Sequence, residues 1–99
     1  MTVLLLDDAH QDIDEAFEYY EARRRGLGDE LLEECRRGVD QIIRFPDAWS
    51  PLDQTYRSYR INRFPYAIVY RVNRASNEIV DLSLMHLSRK PDRWRKRDR

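Results

Sequence analysis

The spacing of apolar residues changes once along this chain, and that change sets the fold class. Ala9, Ile13, Ala16, Phe17 and Tyr20 recur at helical intervals and share one face. Asp12, Asp14, Glu15, Glu18 and Glu21 fall outside that stripe. Leu31, Cys35, Val39 and Ile42 repeat the pattern, helped by Leu32 and Ile43. Beyond Thr55 the period becomes two. Tyr59 and Ile61 alternate with Ser58 and Arg60, and residues 65–72 carry β-branched and aromatic side chains. Val80, Leu82 and Leu84 alternate again.

The expected class is α+β, in the order β-α-α-β-β-β. Val3 to Leu6 reads as a short buried strand, and Asp7 or Asp8 as the cap of the first helix. That helix should end near Arg23 to Arg25, before Gly26-Leu27-Gly28. The second should start at Asp29 and stop at Pro46, which cannot continue a helix. So short a link implies an antiparallel helical hairpin. The N-terminal strand and hairpin should pack on a small antiparallel sheet. Ile68, Tyr70, Val72, Val80, Leu82 and Leu84 would face the helices. Arg60, Ala67, Val69, Arg71, Ser83 and Met85 would line the other face. Residues 1–99 read as a single domain with no internal repeat, and 93–99 as a basic tail that frays.

Composition narrows the function classes. The single cysteine, Cys35, excludes an internal disulfide and falls on the apolar stripe, as a core residue would. No run approaches the roughly 18 apolar residues of a membrane span, so a cytoplasmic location and no membrane partner are expected. The formal net charge is zero, yet unevenly distributed. Residues 1–50 hold six arginines against 13 carboxylates, a net of −7, while 51–99 carry a net of +7. Either the basic half meets an acidic partner, or the acids merely solvate two helices.

His10, Cys35 and His86 have no metal-ligand spacing, and no phosphate loop, serine elbow or redox pair is present. No metal or cofactor is expected. His86 ends a strand before Leu87-Ser88-Arg89-Lys90-Pro91. Beside arginines it can serve as general acid or base on a phosphodiester, or hydrogen-bond locally to fix the chain exit. Arg60 and Arg71 suit a phosphate, RNA or a partner's carboxylates, or else a pair with Asp81 or plain exposure to water. Trp94, among basic residues, suits base stacking or docking of the tail.

Arg60-Ile61-Asn62-Arg63-Phe64-Pro65-Tyr66-Ala67-Ile68-Val69-Tyr70-Arg71-Val72, followed by Leu84-Met85-His86-Leu87-Ser88-Arg89-Lys90-Pro91-Asp92-Arg93-Trp94, resembles the RelE/ParE toxins of bacterial type II toxin–antitoxin (plasmid stabilisation) systems. The order of elements agrees over essentially the whole chain. The resemblance implies one of two activities. Ribosome-dependent members cleave mRNA by driving a ribose 2′-OH onto the adjacent phosphate. Members of the ParE branch inhibit DNA gyrase. Both are silenced by an antitoxin that wraps the toxin. Arg60 matches a basic position of the nucleases, but Ala67 stands where an arginine is expected. A second expected arginine falls near Leu87, and the late catalytic tyrosine is replaced around Arg93 and Trp94. His86 and Arg89 instead are similar to the His-x-x-Arg ending of the ParE branch.

Three readings follow from the resemblance. The first is a growth-inhibiting toxin that binds gyrase and is not an enzyme, with Arg60, Arg71, Arg89, Lys90 and Trp94 at its target or antitoxin surface. The second is a ribosome-dependent endoribonuclease using His86, Arg60 and Arg71. The third is a non-toxic module that binds an antitoxin. Under each, an antitoxin with an acidic and apolar segment is the expected partner, on the Arg60/Arg71 face and the first helix.

Overall fold

A computed structural model describes residues 1–88 and 93–98. Strand β1 (Thr2–Leu5) leads into helix α1 (Asp7–Arg23) and helix α2 (Leu27–Arg44). A two-residue strand β2 (Ser50–Pro51) precedes β3 (Tyr56–Arg60), β4 (Tyr66–Asn73) and β5 (Glu78–His86). A 3-10 helix spans Arg93–Arg97. The five strands form one sheet in the order β1-β5-β4-β3-β2. This is the expected α+β arrangement with two refinements. Strand β1 joins the sheet in parallel beside β5, so the sheet is mixed. Ser50 and Pro51 add a short edge strand beside β3.

The helix ends differ from expectation in instructive ways. Neither Asp7 nor Asp8 caps α1; Leu6 holds the capping position without a side-chain hydrogen bond. Both aspartates lie in the first turn, where they complement the helix dipole. Helix α2 starts two residues early, at Leu27, because Gly26 turns the chain at φ 90°. The carboxylate of Glu21 satisfies that turn. It accepts hydrogen bonds from the backbone N–H of Gly26 at 3.0 and 3.1 Å and of Gly28 at 3.0 Å. Glu21 thus caps the following helix from the preceding one.

Strand β1 is half-exposed rather than buried, with Leu4 at 47%. An edge strand covered on one face alone cannot bury alternate side chains. The phase of β5 also departs from simple alternation. Val69 pairs with Ser83 but Tyr70 pairs with Asp81, so Leu82 is an extra residue in a bulge. A bulge reverses which side chains face which layer. Leu84 and Ile79 therefore pack in the core with Ile68, Tyr70, Leu31 and Ile42. Val80 and Leu82, expected against the helices, instead join Val69 on the opposite face.

That opposite face is covered too. Trp94, 2% exposed, packs against Val69, Val80 and Leu82, and its ring meets Tyr56 edge-on at 4.6 Å. Of the segment expected to fray, Trp94, Arg95, Arg97 and Asp98 are docked on the body of the protein.

Candidate functional site

On the tail-covered face, register sets the positions of the two arginines. Arg71 lies opposite Tyr56 and Arg60 opposite Ala67, and both share the face of Val69. Arg71 is not available. Its guanidinium makes two hydrogen bonds to the Asp98 carboxylate, at 2.6 and 3.1 Å, and is three-quarters buried. Tyr56 donates its hydroxyl to the same carboxylate at 2.8 Å. The Asp98 hydrogen bond raises the Arg71 pKa, and burial followed by Asp98 raises that of the Tyr56 phenol. Arg60 is exposed and makes no ion pair among the described residues.

The tail is pinned at a second point. Arg97 forms a two-pronged pair with Asp12 of α1, at 2.6 and 3.2 Å, and donates to the Leu82 carbonyl at 3.1 Å. Asp12 also accepts from Ser83 Oγ and from the Leu84 backbone, both at 3.1 Å. One carboxylate therefore ties helix, sheet and tail together. Such charge-assisted bonds are stronger than neutral ones where water is partly excluded. Arg95 spans the Trp94 ring, 4.4 Å from its centroid, and pairs with Asp53 at 2.7 Å. That hydrogen bond, with two from the backbone of Tyr56 and Thr55, holds the Asp53 carboxyl down at about 2.

His86 belongs to the other face. It lies opposite Tyr66, whose ring it meets edge-on at 5.0 Å, and Tyr66 packs against Tyr20 and the main core. Its Nδ1 accepts a hydrogen bond from the Ser88 backbone N–H at 3.1 Å, with Ser88 Oγ at 2.8 Å. A backbone N–H can only donate, so the neutral ring carries its proton on Nε2. This is the local fixing of the chain exit weighed above. His86, Tyr19, Tyr20 and Tyr66 line a groove of about 510 Å³ that also contains Asp12, Glu15 and Arg97.

The residues offered for phosphodiester chemistry thus divide. Arg60 and Arg71 project from one face of the sheet, His86 from the other. Trp94, offered for target binding, is buried as a docking residue. Arg89 and Lys90 lie outside the described residues. Among the described residues no cluster of His, Cys, Asp or Glu could hold a metal ion, and no helix is long and apolar enough to cross a membrane.

A family model for the ParE toxin of the type II toxin–antitoxin system parDE matches residues 3–91. The chain belongs to the ParE toxin family. No curated protein matches it significantly. Among solved structures, a chain of the chromosomal ParDE TA system from P. aeruginosa shares its fold. The TM-score is 0.76 at 15% identity, covering 89% of this chain and 97% of that one.

Within this ParE-family chain, the sequence reading overlooked Asp12, Asp98 and Arg97. Asp12 reads as one of several first-helix acids, and its partner Arg97 lies 85 residues away. No local spacing signals such a pair. Asp98 sits in a stretch of charges that resembles a solvated tail.

Proposed function

We propose that this ParE-family chain inhibits growth by binding a cellular protein target, first of all DNA gyrase, and that a cognate antitoxin neutralises it in the cytoplasm. The observation that supports binding over RNA cleavage is the split of His86 from Arg60 and Arg71 across the sheet. Acid–base catalysis needs its groups within hydrogen-bond reach of one scissile phosphate. Here Arg71 is already neutralised by Asp98, and His86 Nδ1 is taken by Ser88. Of Arg60 and Arg71, Arg60 is the cation left to meet a partner's carboxylate, together with Arg89 and Lys90 from the sequence motif.

Purified protein should block gyrase supercoiling at micromolar concentration, and Arg60→Glu should weaken the block. Mixing with the antitoxin should relieve it. Unimpaired supercoiling, combined with His86-dependent cuts in the ribosomal A site of translated mRNA, would replace this reading with the nuclease one.

A further inference from the structure

Strand β5 outruns its neighbour on one side. Strand β4 pairs with it along its whole length, from Glu78 to His86. Strand β1 pairs only with Glu78 to Asp81 before the chain turns into α1. The outer edge of β5 beyond Asp81 therefore has no strand beside it among the described residues. The groove of about 510 Å³ that holds His86 follows this open stretch, past Ser83, Leu84 and Met85, and its wall is mainly polar.

In an antiparallel pair, every second residue aims its N–H and C=O away from the partner strand. The Leu87 N–H donates to the Pro65 carbonyl at 2.9 Å, which turns Leu87 and Met85 toward β4 and leaves Leu84 and His86 pointing outward. The Leu84 N–H fits this phase, since it donates to Asp12. Nearby, Arg97 donates to the Leu82 carbonyl. Two side chains thus stand in for a neighbouring strand at that end of the edge. The Leu84 carbonyl and the His86 N–H have no such substitute among the described residues. An unpaired strand edge is a template for another strand. We propose that the antitoxin lays an extended segment in this groove, pairing its backbone with Leu84 and His86 and placing a lysine or arginine against Glu15.

The walls select that segment. Asp12, Glu15, Ala16, Tyr19 and Tyr20 form one stripe of α1 along the groove, and Ala16 at its middle leaves width for a backbone. Asp12 is occupied by Arg97, Ser83 and Leu84. Glu15 is exposed and makes no ion pair among the described residues. Arg97 is held by Asp12 and lies 3.8 Å from Asp8, so it does not cancel Glu15 as well. A basic side chain is the electrostatic complement. Arg23 already covers the Tyr19 ring, 4.2 Å from its centroid. The apolar stem of the incoming side chain would therefore rest on Tyr20 and Tyr66, whose rings meet edge-on at 6.2 Å. This groove and the Arg60 face thus call for opposite charges. The inference rests on the antitoxin half of the function proposed above and adds its place and chemistry.

Amide hydrogen exchange, followed by NMR on the full chain alone and with its antitoxin, tests it. In the free protein the His86 amide should exchange fast, while those of Met85 and Leu87, bonded to β4, exchange slowly. The antitoxin should slow His86 by about a hundredfold or more. Glu15→Lys should weaken antitoxin binding about tenfold in calorimetry. Asp14→Lys, on the same helix but outside the groove wall, should change it less than about twofold. A His86 amide that is already slow in the free chain or stays fast in the complex, or equal effects of the two substitutions, would overturn the inference while leaving antitoxin binding in place. An antitoxin that does not bind at all would overturn both the inference and the neutralisation on which it rests.

Discussion

Replacing Asp81 with asparagine should make the protein progressively more stable, relative to the wild type, as pH rises from about 4 to about 8. Burial lifts the Asp81 carboxyl from its ordinary 3.8 to about 7, with Asp12 adding to the rise and the Ser83 N–H opposing it. Below 3.8 both folded and unfolded chains hold the proton, and the group is neutral in the balance. Between 3.8 and about 7 the folded chain keeps a proton that the unfolded chain has released, so stability falls with rising pH. Above about 7 the loss levels off. Each pH unit in that window costs about 1.4 kcal/mol, so the whole loss is at most about 4 kcal/mol. An asparagine has no proton to release. Its own unsatisfied amide adds an offset that does not change with pH. Urea unfolding of both proteins across the window isolates the term, because other carboxylates cancel in the difference. The variant-minus-wild-type stability should climb by a few kcal/mol. A flat difference would show that Asp81 is ionised at no special cost, and would refute the reasoning.

Three further outcomes follow. Trp94→Ala should destabilise the fold by about 3–5 kcal/mol in chemical denaturation, as loss of a buried tryptophan does; a change under about 1 kcal/mol would mean the tail is not docked. Glu21→Ala should cost about 1 kcal/mol by removing the cap on Gly26 and Gly28, measured as a lowered urea midpoint at neutral pH. The Cys35 thiol, pushed up to about 12 first by burial and then by Asp81 and Glu34, should resist alkylation at pH 8 until the chain is unfolded; rapid modification of the folded protein, followed by mass spectrometry, would contradict its burial.

The sequence made the elements legible because each has one strong period and clear punctuation. The stripes of α1 and α2 and the β-branched run of β4 needed no tertiary information. The family resemblance rested on residues 60–94, and the family match now spans residues 3–91. What remained hidden was long-range or broke a period. The extra residue at Leu82 reverses the faces of β5, and nothing in Val80-Asp81-Leu82-Ser83-Leu84 announces it. The same reversal turns Asp81 inward, where simple alternation would put it in water. Asp12 and Asp98 became structural anchors because arginines far along the chain reach them. Those two contacts convert an apparently solvated tail into the cover of a sheet face. They also change Arg71 from a free cation into half of an internal pair.

The division of His86 from the sheet arginines carries the functional account, and one assay addresses it directly. The wild type, Arg60→Glu and His86→Ala should be compared in parallel for gyrase supercoiling and for ribosomal A-site mRNA cleavage. The account predicts that the wild type stops supercoiling and cuts no mRNA, that Arg60→Glu loses most of the inhibition, and that His86→Ala loses little. Messenger cleavage by the wild type that vanishes in His86→Ala, with supercoiling untouched, would contradict it.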